Sequence, residues 1–258
     1  MNQSDEFYIG WEDKTAPGLG RTMRKAVVTL LLLALVAGLA LAASQNTVGV
    51  SVFEWGKIKS FAGVVKSQPY PHLLVPRPGN VGSQVPCSSY YLVRPFKFGL
   101  DPETAARLDG KQVELKGTLI YRSGQTMIEV VDGSIKASDP SDKTAPAAPV
   151  PSAVRLGQQT FTGEIVDSKC FLGVMNPGAL TPHRACAIRC ISSGIPPVLL
   201  VRKTDGTALY LLLVSPEGKP VNKQVLNFVA EPVEITGEVE RQGELLILRA
   251  DPATYRKL

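Results

Sequence analysis

The 258-residue sequence has few of the side chains that most often bind metals or perform catalysis, with two histidines and four cysteines. It also lacks a glycine-rich phosphate loop, a Ser/His/Asp arrangement and a pair of catalytic carboxylates. These absences argue against an enzyme. The formal net charge is only +5, and no stripe of Lys or Arg interleaved with aromatic residues is present. We therefore expect no nucleic-acid partner.

Charged side chains are missing altogether from residues 26–53. Within that stretch, the apolar run at residues 26–43 has Thr29 as its only polar side chain. A run of this length can cross a bilayer, which predicts a transmembrane helix or signal anchor at residues 26–45. The alternative is a cleaved signal peptide, because residues 40–42 form an A-x-A site.

Basic residues are distributed unevenly around this run. Arg21, Arg24 and Lys25 directly precede it, and no base follows it until Lys57. The positive-inside rule therefore predicts a single-pass protein of the inner membrane, with a cytoplasmic tail at residues 1–25 and its C-terminal domains in the periplasm.

Proline, alanine, serine and aspartate replace the apolar alternation around residues 138–152, so a linker is predicted at residues 138–157. The linker separates a first domain at residues 48–137 from a second domain at residues 158–258. Alternation of apolar and polar residues in both domains indicates β-strands.

The two domains resemble one another in an ordered series of short blocks, which indicates an internal repeat. The matched blocks are Phe61-Ala62-Gly63-Val64-Val65 with Phe161-Thr162-Gly163-Glu164-Ile165, Pro78-Gly79 with Pro177-Gly178, Tyr91-Leu92 with Tyr210-Leu211, and Val113-Glu114-Leu115-Lys116-Gly117-Thr118-Leu119 with Val233-Glu234-Ile235-Thr236-Gly237-Glu238-Val239. Each copy ends in a predicted hairpin, with turns at Ser123-Gly124 and Gln242-Gly243.

Each copy contains about five predicted strands. A helix capped by Asp101 is predicted at residues 101–110, between the third and fourth strands of the first copy. A weaker helix pattern occupies residues 220–228 in the second copy. This order predicts a mainly β protein with two small OB-like barrels, and another small antiparallel barrel or sandwich is the alternative.

The second copy carries about twenty extra residues, which include residues 179–196. They fall between its first two strands, a loop that flanks the ligand-binding face of OB barrels. Pro182 begins a predicted helix and Gly194 ends it, so the second barrel is expected to carry a helical insertion.

Three cysteines and a histidine fall in or beside this insertion. Cys170 follows the first strand, while His183, Cys186 and Cys190 share one face of the predicted helix. Three interpretations remain open. The first is a structural disulfide between Cys170 and either Cys186 or Cys190. The second is a metal site for zinc, or for copper with Met175 as an added ligand. The third is a group of free or redox-active thiols.

Three other polar or reactive residues have simpler expected roles. Cys87 is expected to be a buried hydrophobe or a free thiol, because no partner is near it in sequence. His72 is expected to be a surface or capping histidine, and Asp167 a residue that bonds within a turn or caps a helix.

The insertion and the strand before it resemble a motif of uncharacterised bacterial envelope proteins, G-E-[IV]-x-D-x-x-C, H-x-x-C-x-x-x-C and G-[IL]-P on an OB-like barrel. The residues that carry this resemblance are Gly163-Glu164-Ile165-Val166-Asp167-Ser168-Lys169-Cys170, His183-Arg184-Ala185-Cys186-Ala187-Ile188-Arg189-Cys190 and Gly194-Ile195-Pro196-Pro197. The resemblance implies a shared site without identifying its chemistry.

These patterns favour a membrane-anchored periplasmic accessory or binding protein without a catalytic site. Its expected partners are the inner membrane and another envelope protein. The alternative is a metal-binding or thiol-redox protein that acts through the cluster of Cys170, His183, Cys186 and Cys190.

Overall fold

The structure is a computed structural model that describes residues 16–45, 51–77, 87–138, 151–204 and 206–258. The chain divides into an N-terminal unit that ends at Gly49 and a second unit from Val50 to Leu258.

The N-terminal unit contains one long helix, α1 (Pro17–Gln45). Within Pro17–Ser44, an 18-residue window has a mean hydropathy of 2.7, and the segment is long and apolar enough to cross a membrane. Its 29 residues extend roughly 43 Å, more than the hydrocarbon core of a bilayer requires. The helix begins nine residues before the predicted start at residue 26, so the last part of the predicted tail at residues 1–25 is helical. Pro17 favours this early start, because a proline in the first turn costs no hydrogen bond.

The first barrel consists of five strands of a larger sheet. In chain order the strands of that sheet are β1 (Ser51–Phe53), β2 (Lys59–Lys66), β3 (His72–Pro76), β4 (Cys87–Val93), β5 (Gln112–Arg122), β6 (Gln125–Val130) and β7 (Lys136–Ala137). The order β2-β3-β4-β6-β5 closes on itself because β5 also pairs with β2. Only the β4–β6 pair within this ring is parallel.

Helix α2 (Pro102–Leu108) lies between β4 and β5, as the sequence predicts. The Asp101 side chain accepts a hydrogen bond of 2.8 Å from the Thr104 backbone N–H, which confirms the predicted cap. Ala105 and Leu108 on its inner face are buried in the core of the first barrel.

The second barrel has the same connectivity. Its strands are β8 (Ala153–Asp167), β9 (Pro197–Arg202), β10 (Ala208–Val214), β11 (Pro232–Gln242) and β12 (Leu245–Arg249), with the short β13 (Arg256–Lys257) beside β11. The order β8-β9-β10-β12-β11 closes through the pairing of β8 with β11, and β10 and β12 are the parallel pair. The fold is therefore mainly β with two OB-like barrels, as predicted.

Corresponding residues pair in the same register. Phe61 lies opposite Leu115, and Phe161 lies opposite Ile235. The glycine of each block faces a close neighbouring strand. A Cβ on Gly63 would lie 2.3 Å from the Leu74 carbonyl oxygen, so a larger residue would displace the adjacent strand.

Some details differ from the sequence prediction. Leu92 and Leu213 occupy matching positions opposite Ile128 and Leu248, so the block at residues 210–211 is shifted by two residues from its predicted match. This shift keeps the same face inward, because side chains alternate with a period of two.

Turns and boundaries differ as well. The second hairpin turns at Gly243 and Glu244 rather than at Gln242 and Gly243, since Gln242 still pairs with Leu245. Strand β8 begins at Ala153, within the predicted linker.

Other predicted features fall on less regular or undescribed parts of the chain. The helix pattern at residues 220–228 forms turns and one 3-10 helix, Leu226–Phe228. Residues 139–150 of the predicted linker and the Pro78-Gly79 match lie outside the described residues.

Each barrel has a core of its own, and a further hydrophobic cluster spans both barrels. Tyr91, Ile120 and Met127 of the first barrel belong to the same buried cluster as Val166 and Leu172 of the second. Continuous burial of this kind is expected to couple the stability of the barrels, because separating them would expose apolar surface on both.

A second contact joins the barrels through the loop after β4, residues 94–99, hereafter the bridging loop. The Gly99 N–H donates to the Ser193 carbonyl at 2.9 Å, and a Cβ on Gly99 would lie 2.3 Å from the Gly194 carbonyl oxygen. Only glycine permits so close an approach at this position. The bridging loop is thereby held against the inserted segment of the second barrel.

Candidate functional site

The insertion between β8 and β9 places the predicted cysteines and histidine on three consecutive elements. They are a π-helical turn (Cys170–Val174), a 3-10 helix (Thr181–His183) and α3 (Arg184–Ser192). The helical part is close to its predicted position. It ends at Ser192, and Gly194 shortly after it has a φ of +96°, in the left-handed region that favours glycine.

The structure brings all four predicted site residues together. The Sγ atoms of Cys170 and Cys186 are 4.0 Å apart. Cys170, His183 and Cys186 each offer one ligand atom within 4.8 Å of the others, and Asp167, Cys170 and Cys190 form a second such set. Cys170 is common to both sets, so it is the central residue of the cluster.

The predicted disulfide is not formed. Cys170, Cys186 and Cys190 are thiols, and no disulfide occurs among the described residues, which include every cysteine of the sequence. The 4.0 Å between the Cys170 and Cys186 sulfurs is about twice the length of an S–S bond. It is close to the roughly 3.8 Å between two thiolates bound at about 2.3 Å to one tetrahedral zinc ion.

The three cysteines of the cluster differ in burial. Cys170, His183 and Cys190 are buried, whereas Cys186 is partly exposed. An ion or a reagent from solvent would therefore reach Cys186 first.

Asp167 is completely buried and contacts both Cys170 and His183. Its Oδ1 accepts a 2.8 Å hydrogen bond from the Cys170 backbone N–H, which confirms the predicted turn or capping role. Its Oδ2 lies 2.9 Å from His183 Nε2, a contact that the sequence analysis did not predict. Metal-binding histidines commonly pair their second ring nitrogen with a carboxylate in this manner.

A hydrogen bond between the two buried thiols, Cys170 and Cys190, shifts their pKa values in opposite directions. A hydrogen bond to Cys190 raises the pKa of Cys170, and burial and the nearby Asp167 carboxylate raise it further. The same hydrogen bond lowers the pKa of Cys190. Cys170 therefore retains its proton more strongly, and a metal ion that binds its sulfur must displace that proton.

Lys97 contributes a cation from the other barrel. Its Nζ donates a hydrogen bond of 2.7 Å to the Cys186 sulfur, and this bond raises the pKa of Lys97. Lys97 lies 89 residues before Cys186 and no motif connects the two, so the sequence alone does not predict this contact.

Lys169, next to Cys170 in sequence, extends in the opposite direction into the first barrel. Its Nζ donates to the Arg94 carbonyl at 2.8 Å and the Phe96 carbonyl at 2.7 Å, and pairs with Glu129 Oε2 at 2.5 Å. The side chain is only 1% exposed. Lys169 thus fixes the bridging loop that carries Lys97.

Other predicted residues lie apart from the cluster or at its edge. Cys87 is buried beside Leu74 in the first barrel, as expected. His72 is buried rather than on the surface, and its Nδ1 lies 2.9 Å from the Tyr70 carbonyl oxygen. Met175, the possible copper ligand, has a largely exposed side chain directly after the π-helical turn.

Comparison with known proteins identifies no family for this site. No protein-family model matches the chain, and no curated protein shows significant similarity to it.

Proposed function

We propose that this chain is a membrane-anchored binding protein of the bacterial envelope that holds one soft metal ion at Cys170, His183, Cys186 and Cys190. The observation that carries the proposal is the 4.0 Å separation of the Cys170 and Cys186 sulfurs, with an imidazole ligand in the same set. This spacing suits two thiolates that share one tetrahedral ion.

The ligand types restrict the ion. Thiolate and imidazole ligands favour zinc(II) and copper(I) over the hard ions magnesium and calcium. Asp167 supports this assignment, because it holds His183 through one ring nitrogen and leaves the other for an ion. A hydrogen bond from Lys97 to Cys186 is compatible with a metal-bound thiolate, whose sulfur still accepts hydrogen bonds.

Metal binding is tested by titrating the reduced full chain in detergent with zinc(II) and, without oxygen, with copper(I) against a chromophoric chelator. We expect one equivalent to bind. Cys170→Ser should abolish binding because Cys170 belongs to both ligand sets, and Cys87→Ser, which changes a cysteine outside the cluster, should bind normally. Less than one equivalent at micromolar metal would contradict the proposal.

Further variants separate the two ligand sets. If the ion lies in the set with Cys186, His183→Ala and Cys186→Ser should weaken binding by roughly 10- to 100-fold or more, and Cys190→Ser should have a smaller effect. The reverse order would place the ion at Asp167, Cys170 and Cys190.

The membrane orientation is part of the proposal. Arg21, Arg24 and Lys25 support a cytoplasmic N-terminus and periplasmic barrels. Alkaline phosphatase fused after Leu258 should then be active, and the full chain should fractionate with the inner membrane. A soluble mature protein that begins at Ala43 would show a cleaved signal peptide, and a cytoplasmic C-terminus would overturn the topology.

An accessory role fits the chemistry of this site. The cluster offers ligands for an ion, and the sequence shows no catalytic constellation beside it. We therefore place the protein with the envelope proteins that its motif resembles, with another envelope protein as its partner. The common strand order and register of the barrels support an origin by duplication of one unit.

A further inference from the structure

We infer that Cys186 and Cys170 also form a thiol–disulfide exchange pair, in which Cys186 attacks, Cys170 resolves, and Lys97 of the first barrel activates the attacking sulfur. The pair uses sulfurs of the proposed metal site but does not require that a metal be held. Its substrate class is a disulfide, either of a small molecule or of another envelope protein.

The arrangement of the two sulfurs supports this order of events. Cys186 is partly exposed and lies on a helix at the rim of the insertion, whereas Cys170 is buried 4.0 Å behind it. An external disulfide can therefore reach Cys186 but not Cys170. A rotation of the Cys186 side chain can close the remaining gap of about 2 Å to the length of an S–S bond.

Lys97 gives Cys186 the surroundings of a reactive cysteine. Reactive cysteines are partly exposed and lie beside a positive charge, while buried structural cysteines are inert. The ammonium group lies 2.7 Å from the sulfur and donates a hydrogen bond to it, so a positively charged group adjoins the attacking atom. Among the described residues, no hydrogen bond from a lysine to Cys170 or Cys190 is present, which distinguishes Cys186 from its neighbours.

Lys97 is a positioning and activating residue that depends on the fold of both barrels. The bridging loop carries it, and Lys169 holds that loop through the Arg94 and Phe96 carbonyls. Phe96 has a φ of +62°, an unusual conformation for a non-glycine residue, and it directly precedes Lys97. The contacts of Lys169 stabilise this conformation.

The reaction balances without a further reagent. The Cys186 thiolate attacks one sulfur of the substrate disulfide, a mixed disulfide forms, and the first substrate thiolate leaves. Cys170 then attacks the Cys186 sulfur, and its proton passes to the second substrate thiolate as that group leaves. Two electrons move from the two cysteines to the substrate, which becomes two thiols once solvent protonates the first thiolate.

Metal binding and this disulfide exclude each other. A Cys170–Cys186 bond removes two of the four proposed ligands, so oxidation would release the ion. Conversely, a bound ion would shield both sulfurs from exchange. The two states form a redox-controlled metal site.

The test uses the metal-free full chain in detergent with a chelator present, and oxidised glutathione as the disulfide at one fixed pH. Mass spectrometry after proteolysis should find Cys170 linked to Cys186, with two thiols lost. Cys170→Ser should accumulate glutathione on Cys186, and Cys186→Ser should not react. A Cys186–Cys190 link, or no link in the wild type, would overturn the inference.

The role of Lys97 is measured from the rate of the first step. Lys97→Met should slow glutathionylation of Cys186 by roughly tenfold, and Lys97→Arg should restore much of the rate because it keeps the positive charge. Equal rates in all three proteins would refute activation by Lys97. His183→Ala should lose metal but retain exchange, so failure of the metal proposal and failure of this inference give different results.

Discussion

Replacement of Lys169 by methionine tests whether the buried lysine holds the barrels together. The variant removes an ammonium group that is 1% exposed and leaves Glu129, whose side chain is 13% exposed, without its counter-ion. Loss of one partner of a buried ion pair costs about 3 to 5 kcal/mol, since the remaining charge stays desolvated. The Arg94 and Phe96 carbonyls add less, because both residues are exposed and water can replace the lost donor.

The assay is urea unfolding of the full chain in detergent. At an m-value of about 2 kcal/mol per molar urea, the midpoint should fall by roughly 1.5 to 2.5 M. Because one buried cluster spans both barrels, we expect a single transition in both proteins.

A double variant separates the ion pair from general disruption. Lys169→Met combined with Glu129→Leu removes both charges and should recover most of the lost stability, since apolar residues often replace buried ion pairs without cost. A loss below about 1 kcal/mol in Lys169→Met would show that water already solvates the lysine. A double variant no more stable than the single one would show that the two charges are not coupled.

Three further predictions concern the barrels. Gly99→Ala should lower the unfolding free energy by about 1 to 3 kcal/mol in thermal or urea unfolding, since its Cβ would lie 2.3 Å from the Gly194 carbonyl oxygen; an unchanged midpoint would contradict the close approach. Burial lowers the pKa of His72, so the unfolded state binds more protons below about pH 6.5 and stability should fall as the pH drops through that range; His72→Asn should flatten this dependence between pH 5 and 7.5. Met127→Ala should cost about 2 to 5 kcal/mol and keep one transition, whereas two transitions would show that the barrels unfold independently.

The sequence predicted the strands and the helix of the barrels well, because these elements depend on interactions between residues that are near one another in the chain. Strand alternation sets which face is buried, and the cap at Asp101 fixes the start of α2. The match of residues 91–92 with residues 210–211 failed by two positions, since a shift of two preserves alternation and the loops absorb the difference.

The candidate site was only partly predictable. Spacing on one helix face placed His183, Cys186 and Cys190 together, and the end of β8 brought Cys170 to them. Lys97 was missed because its proximity depends on how two barrels pack, which no local pattern encodes.

The choice among disulfide, metal and thiol likewise depends on distances that spacing does not give. A sulfur separation of 4.0 Å excludes an S–S bond and is compatible with a shared ion and with two thiols in contact, which the residue numbers do not reveal.

The two lysines that cross between the barrels limit how this chain can be divided or recombined. Lys169 leaves the second barrel to bind the first, and Lys97 leaves the first to bind the second. A fragment that contains only residues 153–258 would carry every cluster cysteine but would expose Lys169 and leave Cys186 without its cation. A chimera with a foreign first barrel would need both a carboxylate and a loop lysine at the matching places. Transplanting the cluster into another protein therefore requires both barrels.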